Sequence, residues 1–279
     1  MSKTKKQNAF DFMNSEQAIK ARQLFTETAE QVKINPYAIR TKKAGCTVNA
    51  SPIHISEKMT GKMNGIISIS TCVLVNPVCI ARVNHAIKSG NLDCICLSCF
   101  ATGTTNHYNA LRDNTVINSA LLSTVILPLD LLPRFKNEID IVRLESFGDT
   151  MNTIQAVNYI NLCKVNPHVH FTVWTKNPGH YDTAFKAFGR PDNLYIGYSN
   201  PNRDRLPNVD DMTNRYPWID FIFTVWTDRQ TALDNGTDIN CRGYNPETGE
   251  TVDSCRLCMK CYLKRHKAGT VTLINELLK

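Results

Sequence analysis

The sequence predicts an α/β protein, a partial (β/α) barrel of parallel strands with a Cys-rich C-terminal segment. Short runs of β-branched and aromatic residues alternate with helical segments, a pattern typical of right-handed βαβ units and a parallel sheet. A polar, turn-rich stretch, "DNGTDINCRGYNPETGETVDSC", marks a boundary near residue 235. We therefore expect an N-terminal helical and basic segment (1–63), the partial barrel (64–235) and the Cys-rich segment (236–279).

The first elements can be assigned in chain order. Residues 15–33 predict a helix with Ser15 at the capping position and an apolar stripe along one side, and Pro36 ends it. The run "GIISIST" is short and β-branched, which predicts a buried strand that ends just before Cys72. A cysteine loop is expected from 72 to about 103, and "NHYNALRDNTVINSALLSTVIL" predicts the next helix.

The alternation then continues to the predicted boundary. In chain order we expect a strand around 140–145, the helix "NTIQAVNYINLCKV", the strand "VHFTVW", the helix "YDTAFKAF", the strand "NLYIGYS" and the strand "DFIFTVW". The run "FTVWT" occurs twice, at 171–175 and 223–227. Chance combined with β propensity explains the repeat, or these are two equivalent barrel strands that each present a residue, Lys176 or Asp228, at the C-terminal end.

Composition narrows the class of protein. The basic, polar start lacks the apolar core of a signal peptide, and no run approaches the length of a membrane span. We therefore expect a cytoplasmic protein with no membrane partner. The chain has 11 cysteines, most of them in two groups, and in a reducing compartment clustered thiols are more often metal ligands or catalytic groups than disulfides.

The net charge of +7 is unevenly distributed along the chain. Residues 1–45 hold nine basic and four acidic groups, and residues 255–279 hold six and one. A basic tail such as "YLKRHKAG" can contact phosphate, but a solvated terminal helix explains it equally well. Nucleic acid therefore stays open as a partner.

The C-terminal cysteines predict a metal-binding segment. The run "CRLCMKC" places Cys255, Cys258 and Cys261 three residues apart, and Cys241 upstream completes a set of four thiols. Four thiolates suit either tetrahedral zinc or an iron–sulfur cluster. The overlapping C-x2-C-x2-C run is more typical of cluster-binding ferredoxin segments than of a zinc finger.

The first cysteine group contains five candidate metal ligands. These are Cys72, Cys79, Cys94, Cys96 and Cys99. Cys96 and Cys99 have the usual metal-knuckle spacing and precede a helix whose N-terminal dipole favours a negatively charged cluster. Five thiols exceed four ligands, and Cys94 is the expected bystander because a ligand two positions from Cys96 needs a tighter backbone. A zinc knuckle is the alternative.

Ionisable residues follow several predicted strands and form a candidate polar pocket. Glu145, Asp149 and Lys176 are the candidate catalytic residues, and His180 and Asp228 lie at similar positions. Each alone is also explained as a solvated or capping residue, and Asp149 suits a cap of the following helix. Small or hydroxyl residues near the same strand ends are candidates for cofactor binding: Ser146, Gly148 and Ser199.

The order of these motifs resembles a known family. "CLSCFA" after a strand and before a helix, with "RLESFGD" and "FTVWTKNP" on later strands, is similar to phage-encoded proteins distantly related to radical S-adenosylmethionine enzymes, including the spore photoproduct lyase branch. The resemblance covers roughly 64–262. It implies a cytoplasmic location in the host and a [4Fe–4S] cluster that leaves one iron for S-adenosylmethionine, whose cleavage yields a radical that abstracts hydrogen.

The resemblance also implies ligands. Cys96 and Cys99, with Cys79 or Cys72, would hold the cluster, the strand ends would receive the cofactor, and the C-terminal thiols would resemble an auxiliary cluster. The usual C-x3-C-x2-C is absent, because Leu92 stands where its first cysteine would be. If both Cys72 and Cys79 bind, no iron stays open.

Two hypotheses follow from the sequence. The first is an iron–sulfur metalloenzyme, of unknown substrate, that uses S-adenosylmethionine as a small-molecule cofactor. The second is a non-enzymatic protein stabilised by two zinc sites, with basic termini that contact nucleic acid.

Overall fold

Six parallel strands form one sheet whose spatial order follows the chain order. The computed structural model describes residues 10–40, 48–241, 254–262 and 271–278. The strands are β1 (Ile67–Ile69), β2 (Ile141–Leu144), β3 (His170–Thr175), β4 (Leu194–Ser199), β5 (Phe221–Trp226) and β6 (Thr272–Leu277). Each strand pairs in parallel with the next one along the chain. The predicted α/β class with a parallel sheet is therefore confirmed.

Helices connect the strands and precede the sheet. They are α1 (Glu16–Ile34), α2 (Pro77–Ser89), α3 (Phe100–His107), α4 (Asn109–Thr124), α5 (Thr153–Val165), α6 (Gly179–Phe188), α7 (Val209–Arg215), α8 (Arg229–Asp234) and α9 (Cys255–Cys258). Ser15 caps α1 as predicted, and its hydroxyl accepts a hydrogen bond from the Ala18 N–H at 3.1 Å. Among the described helices, none combines the length and the apolar character needed to span a membrane.

The expected cysteine loop contains a helix that the sequence analysis missed. Helix α2 occupies much of the 72–103 stretch. Its start has two signals that favour a helix, because the Asn76 side chain accepts from the N–H groups of Val78 and Cys79, and Pro77 occupies the first turn. Gly90 then ends the helix in a left-handed conformation, with a φ of 69°.

The two faces of the sheet have different partners. One face packs against α4, α5 and α6 and carries the apolar residues of the main core: Ile67, Ile69, Val142, Leu144, Phe171, Val173, Leu194 and Ile196. The opposite face carries Arg143, Trp174 and Gly197, and the Trp174 ring lies 5.3 Å from that of Phe221. The C-terminal Tyr262 packs on this second face, with its ring 5.7 Å from that of Trp174.

The repeated "FTVWT" runs close strands β3 and β5 but do not occupy equivalent positions. Trp174 pairs with Gly197, which pairs with Phe221, so these three residues share a face. Phe223 lies on that face as well, because it is two positions from Phe221, whereas Phe171 packs into the main core on the other face. Because Trp174 aligns with Phe221 through Gly197, the two runs are offset by five residues, an odd number, and their equivalent side chains lie on opposite faces. The prediction of equivalent barrel strands is wrong.

The sequence analysis did not predict strand β6. It pairs with β5 along six residues, and the Trp226 indole N–H donates to the Asn275 side chain at 2.9 Å. Part of the predicted segment 236–279 therefore belongs to the sheet. The boundary residues 242–253 and the basic tail at 263–270 lie outside the described residues, so the interpretation of the tail stays a prediction.

Gly197 gives a test of the packing on the second face. A Cβ at this position would lie 2.0 Å from the Phe221 ring, so Gly197→Ala should lower the free energy of unfolding by about 1–3 kcal/mol, as overpacking does. Gly179→Ala is the matched control, because its Cβ would meet nothing closer than 3.8 Å. Urea unfolding of both variants measures the effect, and equal stabilities would contradict this packing.

Candidate functional site

The Glu145 carboxylate joins the carboxyl ends of β1 and β2 to helix α5. Glu145 is 3% exposed, has a φ of 58°, and donates its N–H to the Ile69 carbonyl at 2.8 Å. Its Oε2 accepts from the Thr71 N–H (3.1 Å) and hydroxyl (2.8 Å), and its Oε1 accepts from Gln155 and Tyr159. Burial raises the pKa of Glu145 to about 7, although these donors oppose the rise. All of its described contacts hold neighbouring elements in place.

Asp149 joins the loop after β2 to the end of β3. It is 3% exposed, and its Oδ1 accepts from the Thr175 hydroxyl at 2.7 Å. Its Oδ2 accepts from the Lys176 N–H at 3.0 Å and from the Asn177 side chain at 3.2 Å. The proposed capping role is wrong, because Asn152 caps α5 by accepting from the Gln155 N–H. Asp149 instead fixes the backbone from which the Lys176 side chain extends.

The candidate cofactor-binding residues lie at the same edge of the sheet. The Ser146 hydroxyl is 2.6 Å from the Ser68 hydroxyl, and Ser199 is the buried last residue of β4. Gly148 has a φ of 96°, and a Cβ there would lie 2.8 Å from the Thr71 carbonyl oxygen. Only glycine fits this close approach, so Gly148 is required by packing whatever binds beside it.

The half-buried Lys176 lies within electrostatic range of three thiols of the first cysteine group. Cys79 and Cys99 pack against one apolar cluster, and Cys79 and Cys96 pack against a second. Burial lowers the pKa of Lys176, but the neighbouring Cys96, Asp149, Cys99 and Cys79 outweigh burial and raise it. Burial raises the pKa of Cys79 well above its usual value. The predicted cysteines from three separate parts of the loop are therefore brought to the end of β3.

Local structure explains how these thiols meet. Cys79 lies in the first turn of α2, where its N–H donates to Asn76 at 3.3 Å. Cys96 lies in the short 3₁₀ turn Ile95–Ser98, and Cys99 directly precedes α3. Two of the three cysteines are thus at helix N-terminal ends, where the partial positive charge stabilises a thiolate.

Cys94 lies beside Cys96 but interacts mainly with it. The Cys94 sulfur accepts a hydrogen bond from the Cys96 thiol, which lowers the pKa of Cys94 to about 6 and raises that of Cys96. The backbone here pairs with the loop after β4, since the Ile95 N–H donates to the Pro201 carbonyl at 2.9 Å and Cys94 forms a bridge with Asn202.

Cys72 is oriented towards a different set of groups. It is fully buried after β1, and burial raises its pKa to about 11. The groups that oppose this rise are the Leu74 backbone, the Thr115 side chain on α4 and the Arg112 charge. Spacing alone left Cys72 and Cys79 as equal candidates, and the structure brings Cys79 to Lys176.

The other ionisable candidates have separate environments. The Asp228 side chain caps α8 by accepting from the Thr231 N–H at 2.8 Å, and it is exposed. His180 lies in the first turn of α6, where burial lowers its pKa and Asp149 opposes the change. Asp228 therefore has the capping role that was its alternative explanation.

The four C-terminal cysteines line one cavity. Its walls are formed by Cys241, Cys255, Cys258, Met259, Lys260, Cys261, Tyr262 and Ile274. Burial raises the pKa of Cys261, and the other three thiols raise it further, which places all four in one neighbourhood. Arg143 opposes that rise. The sequence analysis did not identify Arg143, although a basic residue inside the apolar run "IVRL" was a signal for it.

Thiols that lie near one another do not necessarily have the geometry that one metal ion requires. Within the ranges that the structure describes, no group of three or more His, Cys, Asp or Glu side chains stands ready to hold a metal ion. Both cysteine groups are therefore defined by the neighbours that their thiols share.

Comparison with known proteins gives one match. Residues 38–264, most of the chain, match the family described as gene product 88. No curated protein and no solved structure matches.

The raised pKa of Glu145 predicts a pH dependence of stability. The pKa of Glu145 is about 7 in the folded chain and 4.5 for an unperturbed glutamate, so the folded chain binds this proton more tightly than the unfolded chain does. The contribution of Glu145 to the free energy of unfolding is fully present below pH 4.5. It is lost as the pH rises to about 7, by up to about 3 kcal/mol. Glu145→Gln should lack this loss, and urea unfolding from pH 4.5 to 8 measures the difference. Parallel curves for the two proteins would contradict the assignment.

Proposed function

The chain belongs to the gene product 88 family, and we propose that it is an iron–sulfur protein, a radical S-adenosylmethionine-like enzyme with a second four-cysteine metal site. The observation that carries this proposal is that Cys79 shares one apolar cluster with Cys99 and another with Cys96, at the carboxyl ends of parallel strands. All three thiols lie within electrostatic range of the Lys176 ammonium. Ligand sites of parallel α/β folds form at such ends.

The donor set fits a cluster held by three thiolates. Each thiolate of a cluster binds a different iron, so Cys79, Cys96 and Cys99 suffice for three of four irons. The pKa of Cys72 is influenced by Thr115 and Arg112 on the α4 side, which supports a fourth iron without a protein thiolate. In this proposal Cys94 is a neighbour of Cys96 rather than a ligand.

The charges around these thiols fit the same group. A cluster bound by thiolates carries a negative charge, and the Lys176 ammonium and the N-terminal ends of α2 and α3 would stabilise it. The buried thiols of Cys79 and Cys96 have raised pKa values, so we expect binding of the group to release protons.

The strand order supports a partial (β/α) barrel as the finer description of the fold. Successive strands are neighbours, and helices α4, α5 and α6 pack against the same face. A doubly wound sheet instead reverses its strand order and carries helices on both faces. The opposite face, with Arg143 and Trp174, would be the barrel interior.

The chain's own residues then have distinct tasks. A cluster held by Cys79, Cys96 and Cys99 would supply the electron for reductive cleavage of the S-adenosylmethionine sulfonium. Lys176 compensates thiolate charge, while Glu145 and Asp149 hold the strand ends in register as positioning residues. Ser146 and Ser199 are the hydroxyl groups that would contact the cofactor at these ends, and Gly148 lets the backbone approach closely.

The C-terminal cavity is proposed as the second metal site. Its four thiols suit a second cluster or one zinc ion, because both accept four thiolates. The substrate of the enzyme is not part of the proposal.

Metal analysis and an S-adenosylmethionine assay test the proposed function. Protein purified without oxygen should be brown, absorb broadly at about 400 nm and contain several irons per chain. After reduction it should convert S-adenosylmethionine to 5′-deoxyadenosine and methionine, quantified by chromatography. A colourless protein with about two zinc ions per chain would contradict the proposal and favour the non-enzymatic zinc protein with nucleic-acid-binding termini. An iron-containing protein without cleavage would leave an electron-transfer or structural cluster.

Single substitutions test the ligand assignment. Cys79→Ala, Cys96→Ala and Cys99→Ala should each lose the iron of the first site, because each removes one thiolate. Cys94→Ala and Cys72→Ala should retain it. Iron content and visible absorbance per chain measure the outcome.

Cys163→Ala is the matched control for this series. Cys163 is fully buried in α5 within the main core, so its loss creates a small cavity without changing the site. Its iron content should equal that of the unmodified protein. Loss of iron from Cys72→Ala, with retention in Cys79→Ala, would reverse the assignment of these two residues.

A further inference from the structure

Arg143 is a cation on the second face of the sheet whose direct contacts are with neutral side chains. Its guanidinium lies 3.9 Å from the centre of the Trp174 ring, and its Nη1 donates to the Met63 sulfur at 3.2 Å. Its Nε is buried without a hydrogen-bond partner. Tyr262, whose hydroxyl also contacts the Met63 sulfur at 3.5 Å, completes these surroundings.

Such surroundings are costly for a charged group. A buried charge without a counter-charge destabilises a protein, and a cation over an aromatic ring recovers only part of the lost hydration. The ion pairs within the described ranges do not include Arg143. The nearby Lys62, by contrast, is paired with Glu276 on β6. Lys260 also lines the cavity, and its ammonium donates to the Asn240 carbonyl. The site therefore has more cations than its described carboxylates balance.

The missing negative charge is on the adjacent cysteines. Cys255 and Cys261 pack against the same apolar cluster as Trp174, and this cluster contains Met63, so both thiols share neighbours with the Arg143 guanidinium. Lys62 and Arg143 both oppose the burial that raises the pKa of Cys255. These two thiols belong to the same small cavity as Cys241 and Cys258. Four thiolates around zinc or around an iron–sulfur cluster form an anionic group in either case.

We propose that Arg143 is the counter-ion of an anionic metal–thiolate group held by Cys241, Cys255, Cys258 and Cys261. This inference rests on the proposed second metal site. The Trp174 ring holds the guanidinium on the face of the sheet against which Cys255 and Cys261 pack, where its charge acts on the thiolates without contributing a metal ligand. Arg143 is thus a positioning residue that stabilises the deprotonated thiols.

The test compares three substitutions of Arg143 in the full-length chain. Cys96→Ala and Cys99→Ala are present throughout, so that only the second site retains metal. In this background Arg143→Lys keeps the charge, whereas Arg143→Gln and Arg143→Met remove it. Release of metal to a chelator is followed by atomic absorption and by a colorimetric indicator. We expect Arg143→Gln and Arg143→Met to release metal about 10–100 times faster, as second-shell substitutions do, and Arg143→Lys to remain near the parent rate.

Arg256→Met is the matched control for charge on the cysteine segment. Arg256 pairs with Asp140, and both side chains are partly exposed. Its removal should leave the release rate within about twofold of the parent, because screening weakens an exposed charge.

Each result decides between distinct conclusions. The counter-ion role is wrong if Arg143→Lys and Arg143→Gln release metal at the same rate, either the parent rate or an equally faster one. The proposed metal site itself would then still stand. A merely structural role predicts this equality. If the parent background binds no metal, the proposed second site itself is wrong, and the counter-ion role fails with it.

Discussion

The arrangement of the site depends on one buried carboxylate. Glu145 follows β2 in a backbone conformation that non-glycine residues rarely adopt, and four donors from β1 and α5 surround its oxygens. Because Thr71 supplies two of these donors, the end of β1 is fixed relative to β2 just before the first cysteine group begins. Gly148 packs against the same Thr71 carbonyl, which leaves no space for a side chain. The strand ends are therefore held by hydrogen bonds that no ligand has to provide.

A single electrostatic principle connects the two cysteine groups. Each places a cation beside thiols whose pKa values burial raises: Lys176 at the edge of the sheet and Arg143 on the second face. Arg143 lies in β2 and Lys176 directly follows β3, so the positions of both cations are set by the sheet rather than by the segments that carry the cysteines. Burial alone would keep the thiols protonated, and the cations favour the charged state that metal ligation requires.

Local patterns in the sequence predicted the alternation of strands and helices, because a buried strand and an amphipathic helix each have their own period. These local patterns failed where contacts between residues distant in the sequence determine the structure. The short strand β6 is stabilised by pairing with β5, and the orientation of "FTVWT" depends on which face its neighbours occupy. Glu145, Asp149 and Lys176 were found as strand-end residues, but their hydrogen-bond partners were not, since Thr71, Gln155 and Tyr159 carry no local signal. The choice between Cys72 and Cys79 likewise required the packing of Thr115 on α4.

The long spacing between Cys79 and Cys96 follows from the same tertiary arrangement. Helix α2 begins beside Cys79 and carries the chain about 20 Å away, given its 13 residues. Gly90 reverses the direction, and the return is held by the loop after β4, where Pro201 accepts from the Ile95 N–H and the Arg203 N–H donates to the Asp93 carbonyl. The chain thus returns to the start of α2, where Cys79 lies close enough to contribute to the raised pKa of Cys96. The 16 residues between the two cysteines therefore do not separate them in space, because helix α2 and the loop after β4 determine where this segment begins and ends.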